Sequence, residues 1–418
     1  MRPHAGYAWP IRVATVLVST VLILANYPAS AQPNKQILDR AEAYKQPVLK
    51  LLEVLVNTDS GSGDDKGLNA VAETIVRELK TLGARVETLK PAEPAKGTNV
   101  VATWTGTGRG KILLIGHMDT VFQPGEAAKR PFRIANGRAY GPGVMDDKGG
   151  IVLGLYTLKI LQDLNFKDFA QITLVLNSNE EIGSPGSRTL IEDLSRQHDV
   201  ALNLEPGRPA DGLVVFRKGS GVITLEVKGK SAHAGVAPES GRNAAMEVAH
   251  QILQLGKLGH QEKGTTVNFT VLNAGTATNI IPDSAEARGD VRVSAPEEFD
   301  RVERDLSTVS QAKLIPDTDI KVSLARNFPP MAKNAGTDAL AAKAQAIYAE
   351  IGRKLTLEGS GGAADVSFAA GLGTPSLDGL GIVGGEIHTP NEYAEVESIV
   401  PRFYLLTRLI MELGPGSR

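Results

Sequence analysis

Lys111-Ile112-Leu113-Leu114-Ile115-Gly116 runs directly into His117-Met118-Asp119. The short apolar run, bounded by a lysine and a glycine, has the length of a buried strand. A histidine stands at its carboxyl end. The pattern recurs twice. Ile172-Thr173-Leu174-Val175-Leu176 leads to Asn177-Ser178-Asn179-Glu180-Glu181, and Val200-Ala201-Leu202-Asn203-Leu204 leads to Glu205-Pro206. Each strand delivers a ligand-type residue where open α/β sheets form their sites.

Working outward, helical spacing is predicted over 34–56, with Pro47 kinking or splitting it, and over 68–82. Strands are predicted over 99–103, 112–115, 172–176 and 201–204, alternating in their later part with helices over 151–164 and 187–194. Such alternation implies an α/β fold, a mostly parallel sheet covered by helices. Near Gly219 the pattern changes to strands over 222–227, 266–272, 285–293 and 320–324 with helices over 243–255 and 297–306, a compact α+β unit. Asn327-Phe328-Pro329-Pro330 reads as a linker back, followed by helices over 339–348 and 401–413. The expected organisation is a discontinuous catalytic domain over 32–218 and 329–418, with a smaller lid or dimerisation domain inserted over 219–328.

The first 31 residues have the marks of a signal peptide: Arg2 and Arg12, an apolar run over 13–25, and Ala29-Ser30-Ala31 before Gln32. The run is short for a membrane span, which needs about 20 residues. Export to the periplasm or medium, cleavage after Ala31 and no stable membrane anchor are expected. The 418 residues carry a net charge of -2, 42% hydrophobic and 22% charged residues, and no cysteine. There is no basic stripe of a nucleic-acid binder. Without cysteine, disulfides, thiol nucleophiles and zinc ribbons are excluded, so any metal must be held by histidine and carboxylates.

That donor set is present at the strand ends and in Gly141-Pro142-Gly143-Val144-Met145-Asp146-Asp147-Lys148, a glycine-rich loop before a helix. One acid there would be an ordinary helix cap, and Glu180-Glu181 could be a solvated helix start. Three strands and a loop converging on one rim fit a catalytic zinc site better, and the same donors also admit manganese or cobalt. The number of carboxylates points to two ions, with a bridging aspartate. From the residues alone either Glu180 or Glu181 can be the ligand. His198, His250 and His260 read as surface residues.

Together, His117-Met118-Asp119-Thr120, Asp146-Asp147-Lys148-Gly149, Glu180-Glu181-Ile182-Gly183-Ser184, Glu205-Pro206, Ser231-Ala232-His233-Ala234-Gly235 and His388 resemble the two-zinc aminoacylase and carboxypeptidase family, within it the folate-hydrolysing glutamate carboxypeptidases. The resemblance covers nearly the whole chain after the leader. It implies two Zn²⁺ per subunit, His117 and Glu205 on one, Glu181 and His388 on the other, and Asp146 bridging, joined to Asp147 by a cis peptide bond. It also implies that Asp119 orients the His117 ring, that Glu180 takes a proton from the attacking water and passes it to the leaving amine, and that His233 bonds the developing oxyanion on closure or from a partner subunit. Local context alone carries little for His388. A homodimer follows from the same likeness.

For a C-terminal glutamate, Asn279, Arg292 and Arg326, with Lys218 near the entrance, are the candidate carboxylate partners. Gly362, in Ser360-Gly361-Gly362-Ala363-Ala364-Asp365, would offer backbone N–H groups. Ala363 departs from the family's glycine-rich pattern there and narrows the pocket. The activity implied is hydrolysis of the amide bond to a C-terminal glutamate in folates, N-acyl-glutamates or small peptides. The alternatives are an aminoacylase, dipeptidase or deacylase, and a non-catalytic metal- or peptide-binding protein, for which Glu180 would be superfluous.

Overall fold

A computed structural model describes residues 32–416, so the leader and its cleavage site lie outside the described residues. Five strands, β1 (Arg85–Leu89), β2 (Asn99–Thr105), β3 (Lys111–His117), β4 (Gln171–Asn177) and β5 (Val200–Asn203), join a short strand Ser376–Leu377 in the order β1-β2-β4-β3-β5-Ser376–Leu377. β4, β3, β5 and the last strand are mutually parallel, while β1 and β2 add an antiparallel edge. Successive side chains in a strand face opposite ways. Ile112 and Leu114 therefore face helices Lys35–Val56, Lys148–Asp163 and Ile399–Leu413, in one core with Leu52, Ile151 and Phe403. Leu113 and Ile115 face the other way, against Ile191, Phe368 and Ala369. Covering both faces explains why β3 reads as an unbroken apolar run.

The helix Lys35–Val56 is not split at Pro47. Asn34 caps it by accepting from the N–H groups of Gln36 and Ile37, and Ile37, Ala41, Val48, Leu52 and Leu55 form one buried stripe across the proline. Each large side chain in that stripe stabilises by about 1.5–3 kcal/mol, so together they outweigh the roughly 3 kcal/mol penalty of an interior proline.

Between the two stretches of that unit, β6 (Gly219–Lys228), β7 (Thr266–Ala274), β8 (Ser284–Val293) and β9 (Asp319–Phe328) form an antiparallel sheet in the order β7-β8-β6-β9. Ile223, Leu225 and Val227 alternate inward against Val248, Phe299, Val302 and Leu306 of helices Ala244–Leu255 and Pro296–Val309, a second core separate from the first. The expected linker is shorter than its sequence indicates. Asn327 and Phe328 end β9, and Phe328 stacks on Phe368 at 4.9 Å, so the turn begins at Pro329. Among the described residues no helix is long and apolar enough to cross a membrane.

Candidate metal centre

β4, β3 and β5 are adjacent and parallel, so their carboxyl ends share one rim. His117 ends β3, Glu180 and Glu181 begin a turn three residues after β4, and Glu205 follows β5. Asp146 arrives from the loop before helix Lys148–Asp163. Glu392 holds that loop by accepting from the N–H groups of Gly143, Met145 and Asp146 at 3.1, 2.9 and 3.1 Å. The helix itself is pressed onto the strand end: a Cβ at Gly150 would lie 2.0 Å from the Leu204 carbonyl oxygen. The Asp146–Asp147 peptide is cis, and an Asp147 carboxylate oxygen accepts from the His117 N–H at 3.3 Å.

The donor geometry is two-sided. His117 Nε2 lies 3.1 Å from Asp146 Oδ1 and 3.4 Å from Glu205 Oε1. His388 Nε2 lies 3.2 Å from Asp146 Oδ2 and 3.1 Å from Glu181 Oε2. Nδ1 of His117 faces the Asp119 backbone carbonyl at 3.0 Å, and the Asp119 carboxylate at the longer 3.4 Å. A proton on Nδ1 leaves Nε2 with a lone pair aimed at two carboxylates. Acceptors facing acceptors repel unless positive charge sits between them. Glu181 Oε1 is also buried without a hydrogen-bond partner. The donors therefore fit divalent cations on both sides of Asp146. With no cation between them, a second proton on each imidazole supplies that positive charge instead, and the carboxylates favour it. Burial lowers the basicity of His117, but Asp119, Asp146 and Glu205 hold it well above the ordinary range. Hydrogen bonds donated to the Asp146 and Glu181 carboxylates raise His388 to about 10.

Asp119 does more than the sequence implied. Its carboxylate accepts from Ser62 Oγ at 2.6 Å and from the N–H groups of Glu180 and Glu181 at 3.0 and 3.1 Å, which fixes the turn carrying both glutamates. Glu180 is buried beside His117 and Glu205, each within 4.8 Å, and burial followed by the charge of Glu205 pushes its carboxyl well above the usual range. Glu181 instead faces His388.

The residues expected to bind substrate divide. Gly362 lines the cavity with Asp146, Glu180, Glu181, Glu205 and His388, but its N–H is donated to Ser360 Oγ at 3.1 Å. Arg292 reaches the Gly361 carbonyl at 3.5 Å while paired with Asp290. Arg326 is not brought to the cavity: it pairs with Asp300 and Glu303 on the inserted unit. His233 and Asn279 lie exposed on that unit, away from the cavity lining. Lys218 is displaced by its neighbour. Strand alternation turns Arg217 into the site, and the Lys218 side chain runs toward Gly264.

Arg217 is the group that sequence reasoning missed. It is buried, bonds Glu205 at 3.3 Å, pairs with Asp378, and donates to the carbonyls of Gly362 and Ala363 at 3.2 and 3.3 Å. The signal was available: Leu213-Val214-Val215-Phe216 is one more apolar strand, with Arg217 at its end. Asp365, buried and bonded by Asn177 and Ser184, was passed over in the same way. His198 is not a surface residue. It is buried, with Nδ1 against the Leu194 carbonyl at 2.7 Å and Nε2 against Thr173 Oγ1 at 2.9 Å.

Fold and donor set define a metal-dependent hydrolase. Residues 113–412 match Peptidase family M20/M25/M40, and the chain belongs to that family. It is 39% identical to carboxypeptidase G2 of Pseudomonas sp. (strain RS-16) over 93% of this chain and 94% of that protein. It is 29% identical to the acetylornithine deacetylase of Myxococcus xanthus, over 75% of this chain and 82% of the other. Among solved structures, aminopeptidase PepT from Bacillus cereus superposes with a TM-score of 0.74 at 25% identity, over 88% of this chain and 98% of that one. The chain is thus a metallopeptidase of the carboxypeptidase and deacylase type.

Proposed function

We propose that this protein is an exported di-zinc carboxypeptidase that hydrolyses the amide bond to a C-terminal glutamate in folates, other N-acyl-glutamates and short peptides. The observation that carries the two-metal chemistry is Asp146, which turns one carboxylate oxygen to His117, itself beside Glu205, and the other to His388, itself beside Glu181. When bound, two zinc ions polarise the scissile carbonyl and make water a nucleophile at neutral pH. His117, Asp146 and Glu205 would hold one ion, and Glu181, His388 and Asp146 the other. Glu180 takes the proton of the attacking water and delivers it to the leaving nitrogen. His233 Nδ1 accepts from the N–H groups of Gly235 and Val236, each at 3.1 Å, which leaves Nε2 as a donor suited to an oxyanion.

His233 reaches the site on closure or from a second copy. The edge strand β7, with Val271 and Leu272 exposed by 44% and 53%, supports pairing of inserted units in a homodimer. Mixing inactive His233→Ala and Glu180→Ala proteins restores activity if the histidine acts across a dimer; no recovery confines it to its own chain.

The glutamate preference is supported by likeness to carboxypeptidase G2. A deacylase is the second reading, favoured by the deacetylase relative and by Ala363 in the cavity wall. A panel of folate, a glutamate-ending dipeptide and N-acetyl amino acids, each with and without chelator, separates them. The first two substrates should be cleaved fastest, and only with metal. Faster cleavage of N-acetyl amino acids would favour the deacylase, and activity after complete metal removal would refute the zinc chemistry. N-terminal sequencing of the exported protein should begin at Gln32; a start at Met1 would refute cleavage.

A further inference from the structure

The site lies in a cavity of 230 Å³ whose lining includes four carboxylates and the guanidinium groups of Arg208 and Arg217. An anionic substrate entering among carboxylates needs a cation whose charge is not already spent. Arg217 is spent on the buried Asp378 and Glu205, while Arg292 and Arg326 stand outside the cavity lining, beside Asp290 and beside Asp300 and Glu303. Arg208 has no carboxylate partner among the described residues; Nη2 makes one weak contact, to Ser360 Oγ at 3.3 Å.

Arg208 is also held in place. It follows Glu205 by three residues and opens a tight turn in which its N–H donates to the Gly212 carbonyl at 3.0 Å and the Gly212 N–H donates back at 2.9 Å. Beneath that turn the buried Arg402 donates to the Gly212 carbonyl at 3.0 Å and to the Gly379 carbonyl at 2.9 Å. A half-buried guanidinium on a braced turn loses little freedom on pairing with a carboxylate in its planar two-point geometry.

We propose that Arg208 determines specificity by binding a carboxylate of the residue that hydrolysis releases. The proposal rests on the glutamate reading. A glutamate offers two carboxylates, at its α carbon and its side chain, and the test distinguishes them.

The test compares kcat/KM for N-acyl-glutamate, N-acyl-glutamine and the α-amide of N-acyl-glutamate, in the wild-type zinc-loaded enzyme and in Arg208→Met and Arg208→Lys. A lost charge-assisted pair corresponds to about a ten- to hundredfold change. If Arg208 holds the side-chain carboxylate, Arg208→Met lowers the glutamate-over-glutamine preference by that factor, chiefly through KM. If it holds the α-carboxylate, the preference over the α-amide falls instead. Arg208→Lys restores part of either preference. Melting temperature and zinc content equal to wild type exclude a folding defect. A wild-type enzyme that prefers glutamate while Arg208→Met keeps both preferences intact would overturn this proposal alone. A wild-type enzyme with no preference for glutamate over either amide would overturn it together with the glutamate reading.

Discussion

At the rim of the parallel sheet, His117, Asp146, Glu181, Glu205 and His388 are linked by contacts of 3.1–3.4 Å. On the inserted unit, His233, Asn279 and Arg326 remain apart, the first two exposed and the third paired with acids of its own unit. The difference lies in what fixes each set. Strand ends and a braced loop position the rim residues, whereas the inserted unit has its own core and holds its candidates on its own surface. The metal-ligand candidates are therefore gathered at one rim, while His233, Asn279 and Arg326 stay outside the cavity lining.

Substitutions can break or sharpen that contrast. The largest effect is expected at Glu180. Glu180→Ala should lower kcat by about 10²–10⁴ while zinc content stays near normal; loss of zinc instead would show that Glu180 and Glu181 have exchanged roles. Next comes Arg217. Arg217→Met leaves Asp378 and Glu205 buried without their cation and should destabilise by about 3–5 kcal/mol in denaturant titration. Lys218→Met, one residue on, should change stability by about 0.5 kcal/mol or less. Equal effects would contradict the strand alternation that turns Arg217 inward.

An effect smaller than that at Arg217 is expected on the inserted unit. Hydrogen bonds from Arg301 lower the Glu298 carboxyl to about 2, against the opposing influence of burial. A depressed folded-state value stabilises above the unfolded one, about 4.3, and the contribution fades as pH falls toward 2. Glu298→Gln should therefore cost about 1.5–3 kcal/mol near neutral pH and progressively less below about pH 4.3, without changing metal content. A deficit independent of pH would contradict the ion pair.

How much of this is legible in the sequence depends on whether a residue sits on a periodic element. His117, Glu205 and the Glu180-Glu181 pair were readable because apolar strands point at them, and Asp146 because a glycine-rich loop precedes a helix, but the choice of Glu181 over Glu180 as ligand came from family likeness. The bridging arrangement and His388 came from family likeness, since Glu386-Ile387-His388-Thr389-Pro390 has no periodicity. Arg217 was missed by one residue because period-2 alternation decides the face and an adjacent lysine competes for the same role. Glu392 and Asp378 lie in irregular segments far along the chain from the groups they bind, so no local pattern marks them. His198 looked polar among Gln197 and Asp199, yet it tucks under β4 through Thr173. Phe328 was read as linker because two prolines follow it, but its ring belongs to the seam between the two units.

The two-sided role of Asp146 is the central claim, and metal counting tests it most directly. Protein saturated with zinc and freed of excess should hold two equivalents per chain. His388→Ala, which removes a donor from one side alone, should hold about one tight equivalent. A wild-type chain that retains one equivalent or none, or a His388→Ala protein that still binds two as tightly, would contradict it.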